Sequence, residues 1–142
     1  YRNRWYMIGY HETYQSLRTL ALERMIRIEP DYATAYRVSD FNVQAYYKDA
    51  VGVSITSEDP IRIIFELSPR EYQYIESQPI HSSQKCISKK EKVVTVELNA
   101  ILNYELQSTL LSMGSNIKII EPLSLKDFLY KEAMKIVEYY KA

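Results

Sequence analysis

Arg4-Trp5-Tyr6-Met7-Ile8-Gly9-Tyr10 and, after a short turn, Leu17-Arg18-Thr19-Leu20-Ala21-Leu22-Glu23-Arg24 are the two stretches that decide how this chain is read. Both are rich in residues that suit a pleated, half-buried surface, and they read as the two arms of a β-hairpin. At period two, Arg18, Leu20, Leu22 and Arg24 share one face. An arginine at each end of a strand face, beside Trp5 and Tyr6, is suited to gripping a phosphate and stacking a base. The plainer alternative is a pair of edge-strand arginines whose stems lie over apolar neighbours. Beyond the hairpin, Met25, Ile26, Ile28, Tyr32, Tyr36 and Val38 predict a continued strand, broken at Pro30-Asp31. Asp40 is placed to cap a helix from Phe41 to Ala50, which Gly52 ends.

The second half is more regular. Ile61, Ile63, Phe65 and Leu67 alternate with Arg62, Ile64 and Glu66, which predicts a strand with one buried face. Ser68-Pro69-Arg70-Glu71 is a capping box with proline at the first helical position, and its helix runs to Ser77. A strand follows near residues 83–88, then a charged turn at Lys89–Lys92. Val94, Val96 and Leu98 mark a third strand, and Asn103 starts a helix carrying Leu106, Leu110 and Met113, stopped by Gly114. Ile117 to Ile120 is the fourth strand. The order is β-α-β-β-α-β, a ferredoxin-like order. A last amphipathic helix, capped at Ser124-Leu125-Lys126-Asp127 and reaching Tyr140, carries the stripe Leu125, Phe128, Leu129, Ala133, Ile136 and Tyr140. That stripe packs on its own domain or on a partner. The fold class is α+β, with residues 1–52 as the first domain, 53–60 as a linker and 61–142 as the second domain.

Lys plus Arg equals Asp plus Glu at 18 each, so the formal net charge is zero. That argues against a bulk electrostatic DNA binder, which needs a basic face, but leaves room for a local basic pocket. No apolar run approaches the ~18 residues of a membrane span. The lone Cys86 has no intrachain partner, which fits a reducing cytoplasm. Three glycines in all leave no glycine-rich phosphate loop. His11 and His81 are the only histidines, and neither has a ligand partner at metal-site spacing. His11-Glu12 falls in the hairpin turn and reads as solvated. His81 with Ser82, Ser83 and Gln84 lacks the positioned base, acid and oxyanion site of nucleophilic catalysis. No catalytic residue, metal site or cofactor is expected, and the chain is read as a non-enzyme.

The hairpin resembles the WYL domain. Trp5-Tyr6-Met7 stands for the Trp-Tyr-Leu run. Gly9-Tyr10 and then Arg18-x-Leu20-x-Leu22-x-Arg24-Met25 follow the family's Arg-x-Phe-x-Leu-x-Arg-Ile. Leu20 replaces the aromatic, and Ala21 stands where many members have another basic residue. Gln78-Pro79-Ile80-His81-Ser82-Ser83-Gln84 is similar to the Pro-x-His-x-Ser-Gln segment of the companion C-terminal domain. The two matches together span nearly the whole chain.

The resemblance implies a partial Sm-like or SH3-like small barrel followed by a ferredoxin-like domain. It also implies the sensing part of a bacterial transcriptional regulator, whose helix-turn-helix and early barrel strands are not in this sequence. The expected effector is a nucleic acid or nucleotide, such as single-stranded DNA or an oligonucleotide. Arg18 and Arg24 would pair with phosphates, and Tyr6 and Tyr10 would stack bases. His81, Ser83 and Gln84 would close the site from the second domain. A homodimer is expected, through the open barrel edge at residues 1–38, with DNA contacted only by the missing N-terminal part. The alternative is a protein-interaction module without a small ligand.

Overall fold

The computed structural model describes residues 1–35 and 39–141. The strand residues expected at Tyr36 and Val38 therefore lie outside the described residues. The chain divides into two units, Tyr1–Tyr46 and Tyr47–Ala142.

In the first unit, β1 (Tyr6–His11) and β2 (Ser16–Ala21) form an antiparallel hairpin. The ladder pairs Tyr6 with Ala21, Ile8 with Thr19 and Tyr10 with Leu17; the alternate pairs are Met7–Leu20, Gly9–Arg18 and His11–Ser16. A four-residue turn joins the arms, closed by Gln15 N–H donating to Glu12 O at 3.2 Å. The second arm is shorter than its alternation suggests. Leu22 N–H still reaches Trp5 O at 3.0 Å, but Leu22–Arg24 then curl into a 3-10 turn. The cause lies on the opposite arm, where Arg2 and Asn3 take φ of 48° and 61° and carry the chain off the ladder. Residues 25–35 contain no strand. Asp31 Oδ1 accepts from Ala33 N–H at 2.9 Å and Thr34 N–H at 3.3 Å, so Pro30-Asp31 opens a local side-chain-closed turn instead of interrupting a strand.

The short helix α1 (Val43–Tyr47) straddles the unit boundary. Its first turn is closed by Asn42 Oδ1, which accepts from Ala45 N–H at 2.9 Å; the cap is Asn42 and not Asp40.

The second unit follows the order β3 (Ile61–Leu67), α2 (Pro69–Ser77), β4 (Lys85–Lys89), β5 (Val94–Ala100), α3 (Tyr104–Ser112), β6 (Ile117–Glu121), α4 (Leu123–Tyr139). Its sheet runs β4-β5-β3-β6 with every neighbouring pair antiparallel. Register places Ile63 opposite Leu98, Phe65 opposite Val96 and Leu67 opposite Val94, so one sheet face is continuously apolar. Leu106 and Leu110 of α3 and Leu125 of α4 complete that core. Truncating the fully buried Phe65 to alanine costs about 3–5 kcal/mol at such a site. The ion pairs Arg62–Glu97, Arg62–Glu121 and Lys118–Glu66 are exposed and contribute little.

Local signals fix the helix starts. Ser68 Oγ accepts from Glu71 N–H at 3.2 Å with Pro69 at the first position, and Asn103 Oδ1 accepts from Leu106 N–H at 2.9 Å. Gly114, at φ +56°, follows the C-cap Met113 and opens the 3-10 turn Gly114–Asn116 after α3. Helix α4 begins at Leu123 with Pro122 as its cap, so Ser124 sits inside the helix.

Residues 47–54 belong to the second unit and not to a first domain ending at 52. Asp49 O accepts from Ile101 N–H at 2.7 Å, and Asn103 Nδ2 donates to Val51 O and Ser54 O, both at 2.8 Å. Glu105 Oε1 accepts from Ser54 Oγ at 2.7 Å and from Val53 N–H at 3.4 Å. Gly52, at φ +82°, lets the strap pass Glu105; a Cβ there would lie 2.7 Å from Glu105 Cγ.

Candidate functional site

Directly opposed residues of an antiparallel pair share a face. Met7, Gly9 and His11 therefore share one hairpin face with Leu20, Arg18 and Ser16. The exposed Arg18 guanidinium lies 4.7 Å from the centroid of the Tyr14 ring. Tyr14, in the turn, sets its ring against His11, with centroids 4.6 Å apart and planes tilted by 57°. Beside this stack, His11 Nδ1 and Ser16 Oγ are shielded from solvent and have no hydrogen-bond partner among the described residues. Gly9, opposite Arg18, adds no side chain, and a Cβ there would meet nothing within 4 Å. The result is a small open face with one guanidinium, one aromatic ring and two unsatisfied polar atoms. Arg18 has no ion pair among the described residues, so its charge is available to an anion.

The other residues expected at the site fall elsewhere. Tyr6 and Tyr10 pair with Ala21 and Leu17 and so occupy the opposite hairpin face from Arg18. Arg24 stands in the 3-10 turn, off the strand face that alternation assigned to it, although it remains exposed. The residues that do join Arg18 are Tyr14, His11 and Ser16. Nothing in periodicity reveals them, because the pairing of His11 with Ser16 and the reach of Tyr14 depend on a turn of four residues.

His81, Ser83 and Gln84 form a clip inside the second unit. His81 is buried, at 9% exposure. Its Nε2 lies 2.9 Å from Lys48 O, a pure acceptor, so Nε2 carries the proton and donates. Nδ1 then accepts from Ser83 N–H at 3.2 Å. Ser83 Oγ accepts from Asn99 N–H at 2.8 Å, and its one proton is shared between two acceptors, His81 Nδ1 at 2.8 Å and Asn99 O at 2.9 Å. Gln84 Nε2 donates to Ile75 O at 2.6 Å, and its Oε1 accepts from Ile80 N–H at 3.1 Å. These side chains satisfy backbone groups left open where α2 ends and where the strap enters. Their polar atoms make internal hydrogen bonds, within the second unit, where the resemblance implied that they would close a ligand site.

Among the described residues no three His, Cys, Asp or Glu side chains come together to hold a metal. No helix is long and apolar enough to cross a membrane.

A model of the WYL domain matches residues 1–30, the segment that holds the hairpin and its Arg18 face. No curated protein matches the chain. Among solved structures, the chain is similar to proteasome accessory factor B/C (PafBC) of Arthrobacter aurescens, at 15% identity and a TM-score of 0.40. The similarity covers 89% of this chain and 19% of that one, so the chain spans about a fifth of that protein's length.

Proposed function

We propose that this chain is the sensing region of a WYL-type transcriptional regulator, with an anionic nucleic acid or nucleotide as effector. In this reading the hairpin unit is part of an Sm-like barrel and the second unit is ferredoxin-like, as its strand order β4-β5-β3-β6 supports. The observation that carries the ligand assignment is the Arg18–Tyr14–His11 stack with its uncompensated charge. A guanidinium held over an aromatic ring can pair with a phosphate while the ring edge or face meets a base. Zero net charge fits a ligand gripped at one point and not along a basic surface. Binding would bias the arrangement of two copies and thereby DNA binding by a separate domain.

The test is fluorescence anisotropy of a labelled single-stranded oligonucleotide with the 1–142 chain. Arg18→Ala should weaken binding by roughly 1–3 kcal/mol, the scale of a charge-assisted hydrogen bond. It should also flatten the salt dependence by about 0.7 in log–log slope, the amount that one phosphate interaction contributes on a single strand. Tyr14→Ala should weaken binding, and Arg24→Ala should have the smaller effect. Unchanged affinity and slope in Arg18→Ala would refute the assignment. A protein-interaction role is favoured by a different observation, the apolar residues exposed along α4.

A further inference from the structure

Helix α4 leaves the core of its own unit as it proceeds. Leu125 is fully buried, Phe128 and Leu129 are partly so, and every residue from Ala133 to Lys141 is exposed. Between the departing helix and strand β6 opens a cleft of about 430 Å³, lined by Ile117, Ile119, Lys126, Leu129, Ala133 and Ile136. That volume is in the range of small-molecule sites, about 300–1,000 Å³. Of the four α4 residues in the lining, Ala133 is the small one, and its size leaves the gap. Along α4 the lining runs from Lys126 to Ile136, about 15 Å of helix. Spread over that length, the cleft is a channel roughly 6 Å across. A helix with its side chains is about 10–12 Å across and does not enter such a channel. A single alkyl chain does.

We propose that this cleft binds an amphipathic carboxylate, with a linear apolar tail along the seam of α4 and β6 and its anionic end at Lys126. Charge selects the head group. No carboxylate lines the cleft, and its two charged side chains are Lys118 and Lys126. Lys118 is already paired with Glu66, at 3.3 Å. Lys126 is exposed and has no ion pair among the described residues. Helix stability does not call for a cation there, because the first turn of a helix favours acidic residues and this one has none. The apolar walls select the tail, since Ile117, Ile119, Leu129 and Ile136 offer it nothing to hydrogen-bond and a continuous surface to bury against. The site lies wholly within the second unit and does not depend on the hairpin ligand reading.

Titration of the 1–142 chain with decanoate, followed by backbone amide chemical shifts, tests the proposal. Saturable shifts should centre on Ile117, Ile119, Leu129 and Ala133. From hexanoate to decanoate, each added methylene should tighten binding about threefold to fourfold. Decanol should bind roughly tenfold more weakly than decanoate, for want of the charge-assisted contact. Lys126→Glu should weaken decanoate at least roughly tenfold and leave decanol unchanged. That variant keeps its fold, because a carboxylate suits the first turn of a helix. Ala133→Phe should abolish binding of both ligands by filling the gap, with helical ellipticity unchanged because Ala133 is exposed. Equal affinity for decanol and decanoate, indifference to Lys126→Glu, shifts centred on the hairpin around Arg18, or no saturable shift up to the solubility limit of decanoate would each overturn the proposal. So would cleft amides that shift with protein concentration alone, which would put another copy of the chain there instead.

Discussion

Replacing Asn103 with alanine should be the most damaging single change to a polar side chain in this protein. The side chain is 2% exposed and does three things at once. Its Oδ1 caps α3 through Leu106 N–H at 2.9 Å, and its Nδ2 donates to Val51 O and Ser54 O, both at 2.8 Å. Loss of an N-cap costs about 1 kcal/mol. Val51 is itself buried, so its carbonyl would be left without a partner or water, at about 1–3 kcal/mol. Ser54 is exposed and its carbonyl can turn to solvent, which adds roughly 0.5 kcal/mol or less. The expected loss for Asn103→Ala is therefore about 3 kcal/mol. Asn103→Ser keeps an acceptor at the cap and should recover about 1 kcal/mol of it. Urea unfolding followed by ellipticity at 222 nm is the suitable assay, because α2, α3 and α4 all belong to the second unit. Trp5, the single tryptophan, lies in the first unit and gives a separate fluorescence signal that should not move. A loss below about 1 kcal/mol, or a serine variant as unstable as the alanine one, would show that the strap and the cap are not held by this side chain.

Gln84→Ala should lower stability by about 1–3 kcal/mol by freeing Ile75 O and Ile80 N–H, and leave oligonucleotide affinity unchanged; a loss of affinity in a normally folded variant would return Gln84 to the ligand site. Gly52→Ala should cost roughly 2–4 kcal/mol from its left-handed backbone and the clash with Glu105; adding Glu105→Ala should relieve the clash alone, which thermal melts of the three variants can separate. Burial, aided by the neighbouring Glu76 carboxylate, pushes the Tyr72 phenol up to about 12. The folded state thus holds a proton that the unfolded chain releases near pH 10. Stability should be intact below about pH 10 and fall as pH rises towards 12, by at most about 1.4 kcal/mol per unit; an equal slope in Tyr72→Phe would contradict this.

Much of the second unit is legible in the sequence because its signals are local. Ser68-Pro69 and Asn103 announce helix starts within four residues, and the alternation from Ile61 to Leu67 depends only on which side is buried. The failures are equally physical. The alternation Arg18, Leu20, Leu22, Arg24 is real in the sequence, yet a strand needs a partner, and the left-handed Arg2 and Asn3 remove it after Trp5. Ser124 resembles a cap, but Leu123 is already helical behind Pro122. His81 looks like a free functional histidine because the carbonyl it satisfies, Lys48 O, lies 33 residues away. Tyr14 and Ser16 give no sign in the sequence because the hairpin face they join exists only once the turn length is known.

The strap at residues 48–54 also bears on where such chains can be cut and rejoined. Its anchors on the second unit are His81, Ile101, Asn103 and Glu105, so the residues that look like a connector are structurally part of the downstream unit. A gene fusion or shuffling event that breaks within 53–60 would keep the anchors and discard their partners, stranding a buried amide and a buried carboxylate. A crossover ahead of Tyr47 carries lock and key together. Modular exchange of the hairpin unit is thereby confined to junctions upstream of the strap, and a lineage that recombines these units should show its seams there.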